Sequence, residues 1–192
     1  MLPPAPFLKS KFDQGAPYAE FVASGEPQGH RPPWDQRYGQ LGLSPEQDAL
    51  VKAFTRQINV LCLPGTWCGD CALQGSAMQR IAEANPRTIN LRFILRCDEH
   101  ADIIVPNQVN GGFRVPLTWF MAEDFEPVNR FGDRTLSRYR AMARKALGDQ
   151  ANVLAPPPVD PVREVLREVL DEFERIHLLL RTSARLRQKH DD

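Results

Sequence analysis

The stretch Ile58-Asn-Val-Leu-Cys-Leu-Pro-Gly-Thr-Trp-Cys-Gly-Asp-Cys71 decides the fold. Its first six residues form a short apolar run suited to a buried strand. Pro64-Gly65-Thr66 breaks that strand. A helix is then expected to start at the cysteine pair and to run through Met78 and Ile81 to Pro86. Two cysteines three residues apart in the first turn of a helix bring their sulfurs to one face, within bonding geometry. Cys68 sits at the helix N-terminus, where unsatisfied N–H groups favour a thiolate. Cys68 is therefore the expected nucleophile, and Cys71, one turn inside, the resolving thiol.

Outward from this stretch, the texture alternates between helix and strand. Ser44-Pro45-Glu46-Gln47 is a capping-box start for a helix to about Arg56, with Leu50, Val51 and Phe54 on its inner face. Ile89 to Leu95 alternates as a strand, 98–109 reads as a short helix, and Asn110-Gly-Gly as a turn. Pro116 to Met121 and Val128 to Phe131 read as a hairpin, and Thr135 to Leu147 as a helix ended by Gly148. The order α-β-α-β-α-β-β-α predicts an α/β fold, a mixed sheet flanked by helices on both faces.

The two ends read differently. Residues 1–43 hold seven of the seventeen prolines. They are read as an arm over the domain or as disorder, with one short helix at Tyr18 to Ser24 and with Phe12, Tyr18, Phe21 and Trp34 as anchors. A stiff linker, 149–160, includes Ala155-Pro-Pro-Pro-Val-Asp160 and leads into Pro161. Beyond it, 161–189 reads as one long helix whose Val162, Leu166, Val169, Phe173, Ile176 and Leu180 make an apolar seam. That seam fits packing on its own domain, a homodimer through 161–189, or a partner's groove.

Lys plus Arg and Asp plus Glu number 24 each, so no global field draws nucleic acid or an anionic membrane. The N-terminus lacks a signal-peptide core, and no stretch has the length and apolarity to span a bilayer. A cytoplasmic location is the default, and there four cysteines, Cys62, Cys68, Cys71 and Cys97, are expected to be catalytic or metal-binding rather than a disulfide framework.

Trp67-Cys68-Gly69-Asp70-Cys71, followed later by Asn110-Gly-Gly-Phe-Arg-Val-Pro116 at the head of a strand, resembles the thioredoxin superfamily over about residues 44–148. The likeness is to small bacterial thioredoxin-like proteins carrying W-C-G-D-C. It implies a thioredoxin-like fold, a cis Pro116 packed beside the cysteines, and a Val115 backbone offered to an extended substrate peptide. It also implies a protein or small-molecule disulfide as substrate. The electrons would come from a donor such as a thioredoxin reductase or a thiol pool, with no cofactor bound.

Two departures from that pattern matter. Many thioredoxins have proline where Asp70 stands; a carboxylate there disfavours the neighbouring thiolate and points to a reducing couple, unless it is merely a solvated helix-end acid. Thioredoxins often place a buried carboxylate six residues before the nucleophile, where it helps move the resolving cysteine's proton. Here Cys62 occupies that position and reads as a small core hydrophobe, which would leave the proton task to another group such as Asp70 through water. Trp67 reads as packing or as an apolar landing surface for substrate.

Rival readings are a structural zinc site from Cys68, Cys71, Cys97 and His100, and a thioredoxin-fold adaptor that binds through its C-terminal helix. His30, His100, His177 and His190 carry no metal spacing and read as surface residues. The leading expectation is a thiol–disulfide oxidoreductase that reduces disulfides through Cys68 and Cys71.

Overall fold

Every residue of the apolar run Ile58–Leu63 is buried, as a strand covered on both faces requires. The computed structural model describes residues 2–191, so Met1 and Asp192, at the ends of the first and last expected segments, lie outside it. The run forms β1 (Ile58–Leu63), which pairs in parallel with β2 (Ile89–Phe93). Its other edge pairs antiparallel with β3 (Leu117–Met121), which forms a hairpin with β4 (Pro127–Phe131). The sheet order is β2-β1-β3-β4, the mixed sheet expected. Cys62 stands opposite Phe93 on one side and Thr118 on the other.

The pleat divides the core in two. Ile58, Val60 and Cys62 join Phe120, together with Met78 and Ile81 of α5 (Gly69–Ala84) and Val169 and Phe173 of α8 (Pro161–Thr182). Leu61 and Leu63 face the other way with Leu117, Trp119 and Met121. There they meet Leu8 of α1 (Ala5–Asp13) and Ile103 of α6 (Ala101–Ile104). Helices therefore cover both faces, and α5, which carries the cysteines at its head, lies in the first layer.

The N-terminal region is more helical than its proline content predicts. The expected helix is present as α2 (Tyr18–Ser24), capped by Gly25, but α1 and α3 (Arg31–Gln40) accompany it. Their prolines fall in first turns, Pro6 in α1 and Pro32 and Pro33 in α3. N–H groups there have no intrahelical acceptor to lose. Trp34, Phe21 and Val22 are buried in the main core. Helix α4 (Pro45–Lys52) has the predicted capping box: the Ser44 hydroxyl accepts from the Gln47 N–H, and the Gln47 side chain accepts from the Ser44 N–H.

The C-terminal helix begins where expected, with the Asp160 carboxylate capping the N–H groups of Val162 and Arg163. It does not run to 189. Ser183 interrupts it and caps α9 (Ala184–His190) by accepting from the Leu186 N–H. Leu166, Val169, Phe173, Ile176 and Leu180 are buried, and Phe173 meets Phe120 edge-on at 5.0 Å between ring centres. Of the three coverings weighed for this seam, the structure shows packing on the chain's own sheet and on α5. The carboxylate of Glu168 also accepts from the Ser137 N–H at 2.8 Å, closing the head of α7 (Leu136–Leu147). Among the described residues no helix is long and apolar enough to cross a membrane.

Candidate active site

β1 ends at Pro64, and the chain turns through Gly65-Thr66-Trp67 into α5. A side chain at Gly65 would collide with the Trp67 ring, because a Cβ there would lie 2.7 Å from two ring carbons. The indole therefore lies against bare backbone, half-exposed beside the cysteines. The turn is fixed from the N-terminal region. Trp34 donates its indole N–H to the Thr66 carbonyl at 2.8 Å, and His30 Nδ1 lies 3.0 Å from the Thr66 hydroxyl. His30 also stands edge-on to Trp67 at 6.3 Å, and the Arg96 guanidinium lies 6.0 Å from the same ring.

Cys68 is the N-cap of α5, and its sulfur accepts from the Cys71 N–H at 3.2 Å, the place a Ser or Asp oxygen takes in an ordinary cap. All four cysteines are free thiols. The side-chain hydrogen bond from Cys71 draws the Cys68 thiol down to about 7, against the opposing effect of burial and of the Asp70 charge. Burial first, and then donation toward Cys68, hold Cys71 well above the ordinary thiol range. Cys71 is buried and accepts from the Gly65 N–H at 3.4 Å. The two thiols of the motif are thus already unlike: one only partly buried and readily ionised, the other buried and protonated.

Cys62 lies fully buried beneath them and accepts from the Thr118 hydroxyl at 3.4 Å. Burial pushes its thiol up to about 12, so it stays neutral and cannot stand in for a carboxylate base. Across from Cys68, the Val115–Pro116 peptide bond is cis, and the Val115 carbonyl oxygen lies 3.8 Å from the Cys68 sulfur. The preceding turn is the one expected: Asn110 and Gly111 adopt positive φ of 47° and 71°, and Val109 bridges Gly112.

Asp70 is where structure and expectation part. It is not a solvated helix-end acid: its side chain is only 10% exposed and is gripped by two arginines. Arg134 Nε donates to one oxygen at 2.8 Å and Arg138 Nε to the other at 2.7 Å. Sequence reading missed both partners, which lie 64 and 68 residues away. One signal was present: arginines at the head of α7, where the helix dipole disfavours cations and the first turn holds no acid.

The remaining candidates are scattered. Among the described residues no three His, Cys, Asp or Glu side chains converge as metal ligands, so the zinc set of Cys68, Cys71, Cys97 and His100 is not assembled. The histidines are not all surface residues. His177 is buried and stacked on Phe54 at 4.5 Å, His100 faces Lys11, and His30 flanks Trp67. A broad depression lined by Tyr18, Tyr38, Glu83 and Arg92 contains no cysteine.

A family model described as Thioredoxin matches residues 15–146, more than half of the chain, so α2 and α3 fall within the matched stretch. No curated protein matches the sequence. Among solved structures, a protein of unknown function from Pseudomonas aeruginosa is 21% identical with a TM-score of 0.61, covering 86% of this chain and 93% of that one. An HIV epitope scaffold is 20% identical with a TM-score of 0.57, covering 85% of this chain and 97% of that one. At such identities the likeness is one of fold.

Proposed function

The chain belongs to the thioredoxin family, and from that premise we propose that it is a thiol–disulfide oxidoreductase that reduces protein or small-molecule disulfides through Cys68 and Cys71. One observation carries the reading. The Cys68 sulfur caps α5, receives the Cys71 N–H, and faces the Val115 carbonyl beside a cis proline.

The chemistry follows from the unlike thiols. With its pKa near 7, Cys68 is about half thiolate at neutral pH, like the nucleophile of thioredoxin at about 7 and unlike that of a strong oxidant at about 3.5. The thiolate attacks one sulfur of the substrate disulfide. A Cys68–substrate S–S bond forms, the substrate S–S bond breaks, and the first substrate thiolate departs. Cys71 loses its own proton to that leaving group or to water, since Cys62 offers no base. It then attacks the Cys68 sulfur, forming the Cys68–Cys71 disulfide and expelling the second substrate thiolate. Two electrons have passed to the substrate, and an external dithiol donor or thiol pool returns them. The Val115 backbone and Pro116 position the extended substrate, and Trp67, with Gly69 leaving the approach open, supplies the apolar landing surface. A reducing cytoplasm suits this direction.

The test is a redox titration across dithiothreitol and glutathione buffers, read by alkylation and mass. A reversible two-electron couple near the thioredoxin value, about −270 mV, is expected; thiols that never pair would refute the reading. Cys71→Ser should trap a mixed disulfide, and Cys68→Ser should abolish exchange.

A further inference from the structure

The grip on Asp70 is part of a larger lattice. Asp133, whose side chain is 3% exposed, accepts from Arg134 Nη1 at 3.2 Å, from Arg114 Nη1 at 3.4 Å and from the Tyr139 hydroxyl. The Gln74 amide of α5 donates to the Asp133 backbone carbonyl at 3.1 Å. Three segments around Cys68 are thereby joined: the motif through Asp70, the loop before Pro116 through Arg114, and the head of α7 through Arg134 and Arg138. Two nearly buried carboxylates face three guanidinium groups, so the lattice carries one net positive charge.

This arrangement answers a question the sequence poses. A carboxylate between two redox cysteines acts against the thiolate. Two arginines at the head of a helix act against the helix dipole. Each is unfavourable alone, and the structure places each against the other. We propose that Arg134 and Arg138 are positioning residues for Cys68: they hold the Asp70 carboxylate in a fixed two-sided grip and offset much of its field at the sulfur. The motif then keeps its acid without losing its nucleophile.

The charged and titratable groups around Cys68 are few. Asp70 and the Cys71 thiol come from α5, and the Cys62 thiol from β1. Asp133 and Arg134 come from the loop after β4, Arg138 from α7, and Arg114 from the loop before β3. Arg96 and His30 flank Trp67. Asp70 is the carboxylate inside the motif, and among the described residues Arg134 and Arg138 bind it.

The inference rests on Cys68 being the nucleophile, and the experiment separates the two. Iodoacetamide alkylation of Cys68 is followed against pH, with thiolate absorbance as a second readout. The proteins compared are the wild type, the double variant Arg134→Gln/Arg138→Gln, the same double variant with Asp70→Asn, and the conservative Arg134→Lys/Arg138→Lys. Removing the arginines should raise the Cys68 midpoint by about one pH unit, a tenfold loss of thiolate on the acid side. Adding Asp70→Asn should bring the midpoint back, and the lysine pair should stay near wild type. Circular dichroism confirms that each variant is folded, and the single variant Arg138→Gln, at the more exposed of the two arginines, should raise the midpoint in the same direction and serves if the double variant is not; an unmoved midpoint there overturns the inference as well. An unmoved midpoint in the double variant, or a shift that Asp70→Asn fails to reverse, overturns the inference. Exchange with a model disulfide, run in parallel, tests the oxidoreductase reading separately: the midpoints can follow the expected pattern in a protein that exchanges nothing.

Discussion

Helix α5 is held by the two ends of the chain, and the ends hold it by different physics. On the N-terminal side the contacts are aromatic and polar. The Trp34 ring lies against Gly75, the Tyr18 hydroxyl lies 2.8 Å from the Ser76 hydroxyl, and the Arg80 guanidinium stacks over Tyr38 at 3.6 Å. On the C-terminal side the contact is an apolar stripe, Leu166, Val169, Leu170 and Phe173, with no polar group among them. The N-terminal anchors also reach the turn that presents Cys68, through Trp34 and His30 on Thr66. The polar reach of the C-terminal helix toward the site is at one remove, through Glu168 on the head of α7. Directional contacts shape the site, and the greasy stripe holds it up.

The sharpest way to break this contrast is Trp34→Ala. It empties a large core volume and orphans the Thr66 carbonyl, so a loss of about 4 kcal/mol is expected from urea denaturation. The same variant should alter the alkylation profile of Cys68. In the wild type that profile should rise from acid and reach half its maximum near pH 7, because only the thiolate reacts and the thiol is drawn down to about 7. Leu166→Ala, on the C-terminal side, should cost about 3 kcal/mol in the same assay yet leave the profile in place. If it moves the profile as far as Trp34→Ala does, the contrast fails. Gly75→Ala is a finer probe. Its Cβ would lie 2.6 Å from the Trp34 ring, and such overpacking should lower the unfolding midpoint by the equivalent of about 2 kcal/mol. Smallest of all, Glu168→Gln weakens the cap on α7 by about 1 kcal/mol. A detectable change in Cys68 reactivity there would show that the C-terminal helix speaks to the site through α7.

What was legible in the sequence follows from the range of the forces involved. β1, the capping box at Ser44, the Asn110-Gly111 turn and the α8 stripe are each written in a few adjacent residues, and each appears where expected. The dithiol was legible for the same reason, as cap and thiol lie within one turn. The N-terminal helices were missed because prolines were weighed by number rather than by position; at Pro6, Pro32 and Pro33 they open helices instead of breaking them. The environment of Asp70 was out of reach, since its partners are made neighbours only by the packing of α7. His177 and His30 were misplaced likewise: nothing local marks the Phe54 ring or the Thr66 hydroxyl as their destinations.

The order of the chain gives the α8 stripe one more meaning. Synthesis runs from the N-terminus, so the last strand is complete at Phe131, before α8 begins at Pro161. While the ribosome makes the intervening residues, Val60 and Phe120 wait without their final cover, and a nascent chain stalled or clipped there presents an oily face to its surroundings. Helix α8 is thus a late-arriving cover for a sheet already made, and the two must meet before that side of the core is dry.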